Sequence, residues 1–170
     1  MTAWQLVFAG AVVGLPLLAE WWVSASHARL LRGRGAVEPP DDVHAVMAVA
    51  YPAVFVAALL EGAGRGVPLA AGGLVLLVAA KALKYWAAAT LGDRWTFKVL
   101  VVPGEPLVAA GPYRWLRHPN YVAVVGEILG VAWLVSAPVA GLVGLGCFGW
   151  LLRRRIRVEE RALGLAGRVY

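Results

Sequence analysis

Apolar residues run along the chain in five blocks, at residues 3–24, 43–60, 67–91, 121–135 and 138–152. Short polar segments separate most of them; one long segment, 92–120, separates the third from the fourth. Near-uncharged blocks of this kind predict helices that cross a bilayer, which takes about 20 residues each. A lone span in lipid must satisfy its own backbone hydrogen bonds, so each is expected to be helical. The last two blocks are short and parted only by Ser136-Ala137-Pro138, which predicts a tight helical hairpin. The expected fold is all-α: a polytopic membrane protein of about five transmembrane helices, forming one domain over 1–170. The segment 92–120 is expected to fold back as a loop against the helices. A further short helix is expected over 153–165.

Details within the blocks refine this picture. The first resembles a secretory leader in length, but no basic residue precedes it and it carries Glu20, so it is expected to be a retained helix. Glu20 near its inner end is expected to reach the interface and pair with Arg29. Lys81 lies about ten residues inside the end of the third block. Either it snorkels, or the third helix leaves the bilayer near Lys84 and runs along the surface. The second option is preferred, because it leaves Lys81, Lys84 and Asp93 in water. Residues 96–102 are β-branched and apolar but too short to span. Gly141, Gly144 and Ala140 in the fifth block read as close helix packing.

Composition strengthens the membrane reading. The chain of 170 residues is 61% hydrophobic and 15% charged, against about a quarter charged for soluble domains. The net charge of +6 does not call for nucleic acid, because the basic residues flank the apolar blocks. Arg29, Arg32 and Arg34 follow the first block. Arg94, Lys98, Arg114 and Arg117 follow the third. Arg153, Arg154, Arg155, Arg157, Arg161 and Arg168 follow the fifth. The two remaining loops hold only Arg65. That asymmetry predicts the N-terminus outside, the C-terminus in the cytoplasm and five crossings of the inner membrane. Several tryptophans fall near predicted helix ends, where indoles favour the interface. Cys147 is a lone thiol in an apolar run, and no metal-ligand spacing is present.

The candidate chemistry lies in GPYRWLRHPNY, residues 111–121, and in the pair Glu159-Glu160. Holding such polar groups beside lipid is costly. Pro119 suits the first turn of the fourth helix, where its missing N–H costs nothing. His118, Asn120 and Tyr121 flank it. The short hairpin returns Glu159 and Glu160 to the same side of the membrane. Arg155 and Glu159 are four residues apart, hence on one helix face. Carboxylates opposite a histidine, a tyrosine and arginines suit a zwitterion. Glu127 lies two turns past Asn120; function and structural hydrogen bonding are equally expected of it.

These residues carry a resemblance. The stretch LGDRWTFKVLVVPGEPLVAAGPYRWLRHPNYVAVVGE, 91–127, followed by RIRVEERAL from Arg155, resembles the isoprenylcysteine carboxyl methyltransferase family. A weaker likeness reaches LLAE at 17–20 and RGRGAVE at 32–38. Members are integral membrane enzymes that use S-adenosylmethionine. The likeness is closest to a small bacterial branch that O-methylates alkylpyrones and alkylresorcinols. The prenylcysteine enzymes run on past the Glu-Glu pair; the ending at Tyr170 fits the bacterial branch. The resemblance implies cofactor contacts from Glu105, Pro106, Leu107 and Val108, from Tyr113, from His118, Pro119, Asn120 and Tyr121, and from Glu159 and Glu160. Lys98 falls near another cofactor-contacting position, and Arg155 matches an arginine on the substrate side.

The function so implied is methyl transfer to an oxygen of a lipophilic acceptor, without a metal. Arg155 could hold an acceptor anion, and a resorcinol would need a base. Glu127, Glu160 and His118 are all candidates. Rival readings are carboxyl methylation of a prenylated cysteine-like compound, methylation of a lipid amine, and a non-catalytic scaffold or transporter. Against the last, the polar residues gather at one face instead of lining a path through the bilayer.

Overall fold

Thr2 opens the first helix through a reciprocal cap: its hydroxyl accepts from the Gln5 N–H at 3.3 Å, and the Gln5 side chain accepts from the Thr2 N–H at 2.8 Å. The computed structural model describes residues 1–165; Arg168 and the end at Tyr170 lie outside the described residues. The helices are α1 (Ala3–Gly33), α2 (His44–Arg65), α3 (Ala71–Leu91), α4 (Pro119–Leu134) and α5 (Pro138–Ala162). Short 3-10 turns at Gly92–Arg94 and Gly111–Arg114 punctuate the long connection between α3 and α4. The all-α expectation therefore holds among the described residues. Inside that connection the strip around 99–101 is extended, and Val101 forms a single antiparallel bridge with Val37.

The ends follow local chemistry. Gly66 closes α2 in the left-handed conformation, φ 67°. Prolines occupy the first helical position of α4 and α5. Three helices are long and apolar enough to cross a membrane: α1, α2, and α3 with the turn that follows it. The chain is thus a membrane protein with at least that many candidate spans. At 16 residues, α4 is about 24 Å long, short of the roughly 30 Å hydrocarbon core.

α4 packs against α3 at the centre of the molecule, and glycines permit the approach. A Cβ on Gly73 would come within 2.1 Å of the Leu134 N, and one on Gly130 within 2.8 Å of the Leu77 N. Around this seam Leu77, Ile128, Val131 and Leu134 join Phe55 of α2 and Phe148 of α5 in one buried cluster.

Three expectations need correction. α1 runs to Gly33, well beyond residue 24. Residues 153–162 are the unbroken continuation of α5, not a separate helix. Lys81 and Lys84 are not in water: Lys84 is 1% exposed. Its Nζ lies 3.0 Å from Glu20 and 2.8 Å from Glu127, while the Lys81 Nζ reaches the same two carboxylates at 2.5 and 3.0 Å. Glu20 accordingly faces these lysines instead of Arg29. The Tyr51 hydroxyl donates to Glu127. Two cations, two anions and one phenol thereby tie α1, α2, α3 and α4 together. Each charge has opposite-sign neighbours, which offsets the cost of removing it from water.

Candidate functional site

α5 continues beyond its apolar part and presents Arg155 and Glu159 toward the N-terminus of α4. Between them and the folded-back connection lies a cavity of about 620 Å³, within the range of small-molecule sites. Lys98, Glu105, Pro106, Leu107, Val108, Tyr113, His118, Asn120, Tyr121, Arg155 and Glu159 all line it. Pro119 is buried as the first residue of α4 and lies behind the wall. Glu160 is also outside the lining, facing His118 and Arg117. Glu127 lies deeper in α4, within the buried cluster of the two lysines.

Tyr121 links the two sides. Its hydroxyl donates to Glu159 and accepts from the Arg155 Nε at 3.2 Å. His118 stacks on its ring, with centroids 5.4 Å apart, and the His118 Nε2 lies 3.1 Å from Glu160. The hydrogen bond from His118 holds the Glu160 carboxyl below its usual range, with Arg117 adding to the effect. Arg155 is buried, and its guanidinium also donates to Asp42 and, at 2.5 Å, to the Phe97 carbonyl. Burial pushes the Tyr113 hydroxyl well above the ordinary phenol range, and the Glu159 charge adds to this.

The connection is pinned from several sides. Arg94 holds Glu105 at 2.8 Å and donates to the Pro106 carbonyl at 2.6 Å. Lys98 meets Glu38 at 2.6 Å, and that hydrogen bond lowers the Glu38 pKa. From α1, Ser24 accepts from the Phe97 N–H at 2.7 Å, while His27 contacts the Trp95 carbonyl at 2.9 Å. The Trp95 indole donates to Asn120 at 3.3 Å.

Asp42, Trp95, Phe97, Arg94 and Glu38 were absent from the sequence-derived candidates. Asp42 had the clearest signal, as part of an acidic pair after Pro39-Pro40 in an otherwise basic stretch. Its partner stands more than a hundred residues away, so spacing could not reveal it.

Trp95 also borders a second cleft, about 410 Å³, between α1 and α3. Glu20, Val23, His27 and Tyr85 are among its other walls. The buried Trp95 ring is thus common to both spaces.

No group of three or more potential metal-ligating side chains occurs among the described residues. The donor set suits an organic zwitterion: Glu159 and Tyr121 beside Asn120, Lys98 and Arg155, with apolar Leu107 and Val108 adjoining.

Residues 73–164 match the sequence model of the isoprenylcysteine carboxyl methyltransferase family. An uncharacterized protein of Bacillus subtilis, YpbQ, is 42% identical over 88 residues, covering 52% of each chain. An uncharacterized protein of Haemophilus influenzae is 26% identical over 145 residues, covering 83% of this chain and 84% of its own. The chain therefore spans only about half the length of the Bacillus relative. No solved structure matches. The matched family segment takes in α3, α4, α5 and the cavity walls between them, and the chain belongs to the isoprenylcysteine carboxyl methyltransferase family.

Proposed function

We propose, from that family membership, that the protein is an S-adenosylmethionine-dependent methyltransferase whose acceptor is an oxygen of a lipophilic molecule of alkylpyrone or alkylresorcinol type. The observation that carries the reading is the mixed cavity at the polar end of an apolar helix bundle, lined by both Tyr121 and Glu159. Glu105, Leu107, Val108, Tyr113, His118, Asn120, Tyr121 and Glu159 would hold the cofactor, with Lys98 at the rim. When bound, it supplies an electrophilic methyl group. The chain's task is then to align an acceptor oxygen with that methyl and to exclude water, and positioning of this kind accounts for much of the rate.

Arg155 would orient the acceptor anion. Three of its five donor N–H groups are used by Tyr121, Asp42 and Phe97, which leaves donors for an enolate, phenolate or carboxylate oxygen. The cleft between α1 and α3 supports a route for the alkyl chain, because it opens among membrane-spanning helices and shares Trp95 with the cavity. Burial of such a chain contributes about 0.8 kcal/mol per methylene.

On this reading α4 and α5 complete five crossings, and the arginine-rich loops and the cavity face the cytoplasm of a cell with the N-terminus outside. Carboxyl methylation of a prenylated cysteine-like compound is the second reading, favoured by the family's printed description. Methylation of a lipid amine is a third. The test is incubation of the reconstituted protein with methyl-labelled S-adenosylmethionine and each acceptor class. Label on an alkylpyrone or alkylresorcinol oxygen is expected. Label only on prenylcysteine or on a lipid amine would overturn the acceptor assignment.

A further inference from the structure

The net charge of +6 is not spread evenly over the molecule. Every one of the ten acidic residues has a polar or cationic partner. Among the described residues, the arginines left without a carboxylate partner are Arg29, Arg114, Arg153, Arg154 and Arg157. The last three fall within a single stretch of α5.

Their direction matters more than their number. Val139, Leu142, Val143, Cys147 and Trp150 are exposed along α5 at intervals of three and four residues. Arg153, Arg154 and Arg157 continue the same exposed stripe. Arg155 points the other way and is buried against Asp42. The stripe is apolar up to an exposed indole and basic immediately after it. Apolar residues on the outside of a membrane helix face lipid, and a tryptophan at their end marks the interface. The arginines begin three residues further on, roughly 5 to 10 Å along the axis, at the depth of the headgroups. The Arg154 guanidinium lies 5.2 Å from the Trp150 ring centroid, which fixes it on the outward face.

We propose that this outward face of α5 binds the phosphate of anionic phospholipid headgroups through Arg153, Arg154 and Arg157. Charge complementarity selects an anion, and guanidinium donors suit phosphate geometry. Continuity with the lipid-facing stripe selects a membrane lipid over a water-borne ligand. The site stands back to back with Arg155 and Glu159 on the same turns of α5, so an occupied headgroup site also anchors the helix that carries part of the cavity wall. The inference needs only the membrane setting and holds whatever the acceptor is.

The test uses the full chain in nanodiscs of equimolar phosphatidylglycerol and phosphatidylcholine, with the lipids retained on release counted by native mass spectrometry. Wild type is expected to retain phosphatidylglycerol in excess. That excess should fall about fivefold in each of Arg153→Gln, Arg154→Gln and Arg157→Gln, and should stand unchanged in Arg32→Gln, whose charge is taken up by Glu38. Equal retention of the two lipids by wild type would overturn the proposal. So would an equal loss in Arg32→Gln, since that would mean total charge is read and not this face.

Discussion

Asp42 accepts from the Arg155 guanidinium, from the His44 N–H at 3.1 Å and from the Val99 N–H at 2.9 Å. It therefore ties the start of α2, the strip beneath the cavity and α5 to one carboxylate. Truncating Arg155 alone leaves that buried charge without its cation. We expect Arg155→Ala to lower stability by about 3–5 kcal/mol, read as a fall in Tm in detergent. Adding Asp42→Asn should recover much of the Tm, because the stranded charge is gone. It should not recover turnover if Arg155 orients the acceptor. Turnover returning together with Tm would make Arg155 purely structural. Glu160 offers a pH test. Its folded carboxyl titrates below the ordinary 4.5, so the stability it contributes is present above pH 4.5 and is lost as pH falls through its depressed value. The Tm gap between wild type and Glu160→Gln should be constant near neutrality and close only under acid conditions. A gap that instead closes on the alkaline side would refute the sign. The polar residues of 111–121 and the two glutamates were legible in the sequence because polar groups stand out beside apolar blocks. Asp42 was not, because an ion pair across the fold leaves no local pattern.

α1 to α4 are joined inside the bundle by Glu20, Lys81, Lys84, Glu127 and Tyr51. Sequence spacing identified the helices but misplaced the lysines. A lysine inside an apolar block reads equally as snorkelling, as a helix emerging from lipid, or as half of a buried pair, and only the position of another helix decides. The helix ends show the same limit: Gly66, Pro119 and Pro138 mark boundaries by backbone chemistry, whereas the extension of α1 to Gly33 is supported by contacts to the connection after α3. Lys84→Met should cost about 3–5 kcal/mol, since it strands carboxylates. The double variant Lys84→Met, Glu127→Met should recover most of that, because Lys81 and Glu20 still pair at 2.5 Å. Thermal unfolding in detergent measures both. Failure of the second substitution to compensate would mean that Glu127 serves something besides Lys84.

The molecule as a whole brings polar chemistry from three distant stretches to one end of an apolar bundle. Its α4–α5 hairpin returns Arg155 and Glu159 to His118 and Tyr121. α1, through Ser24 and His27, steadies the strip that carries Trp95 and Phe97. The hairpin was legible because a three-residue break between two apolar blocks leaves the chain no alternative. The role of α1 was not, since a serine and a histidine on a membrane helix suggest no particular partner. The methyltransferase reading rests on a cofactor site in which Tyr121 donates to Glu159. The most direct test is titration calorimetry of S-adenosylmethionine into the nanodisc-embedded protein, wild type beside Glu159→Gln. Saturable binding by wild type, weakened roughly tenfold to a hundredfold in the variant, is expected for loss of a charged hydrogen-bond partner. Undiminished binding by the variant, or none by folded wild type, would contradict it.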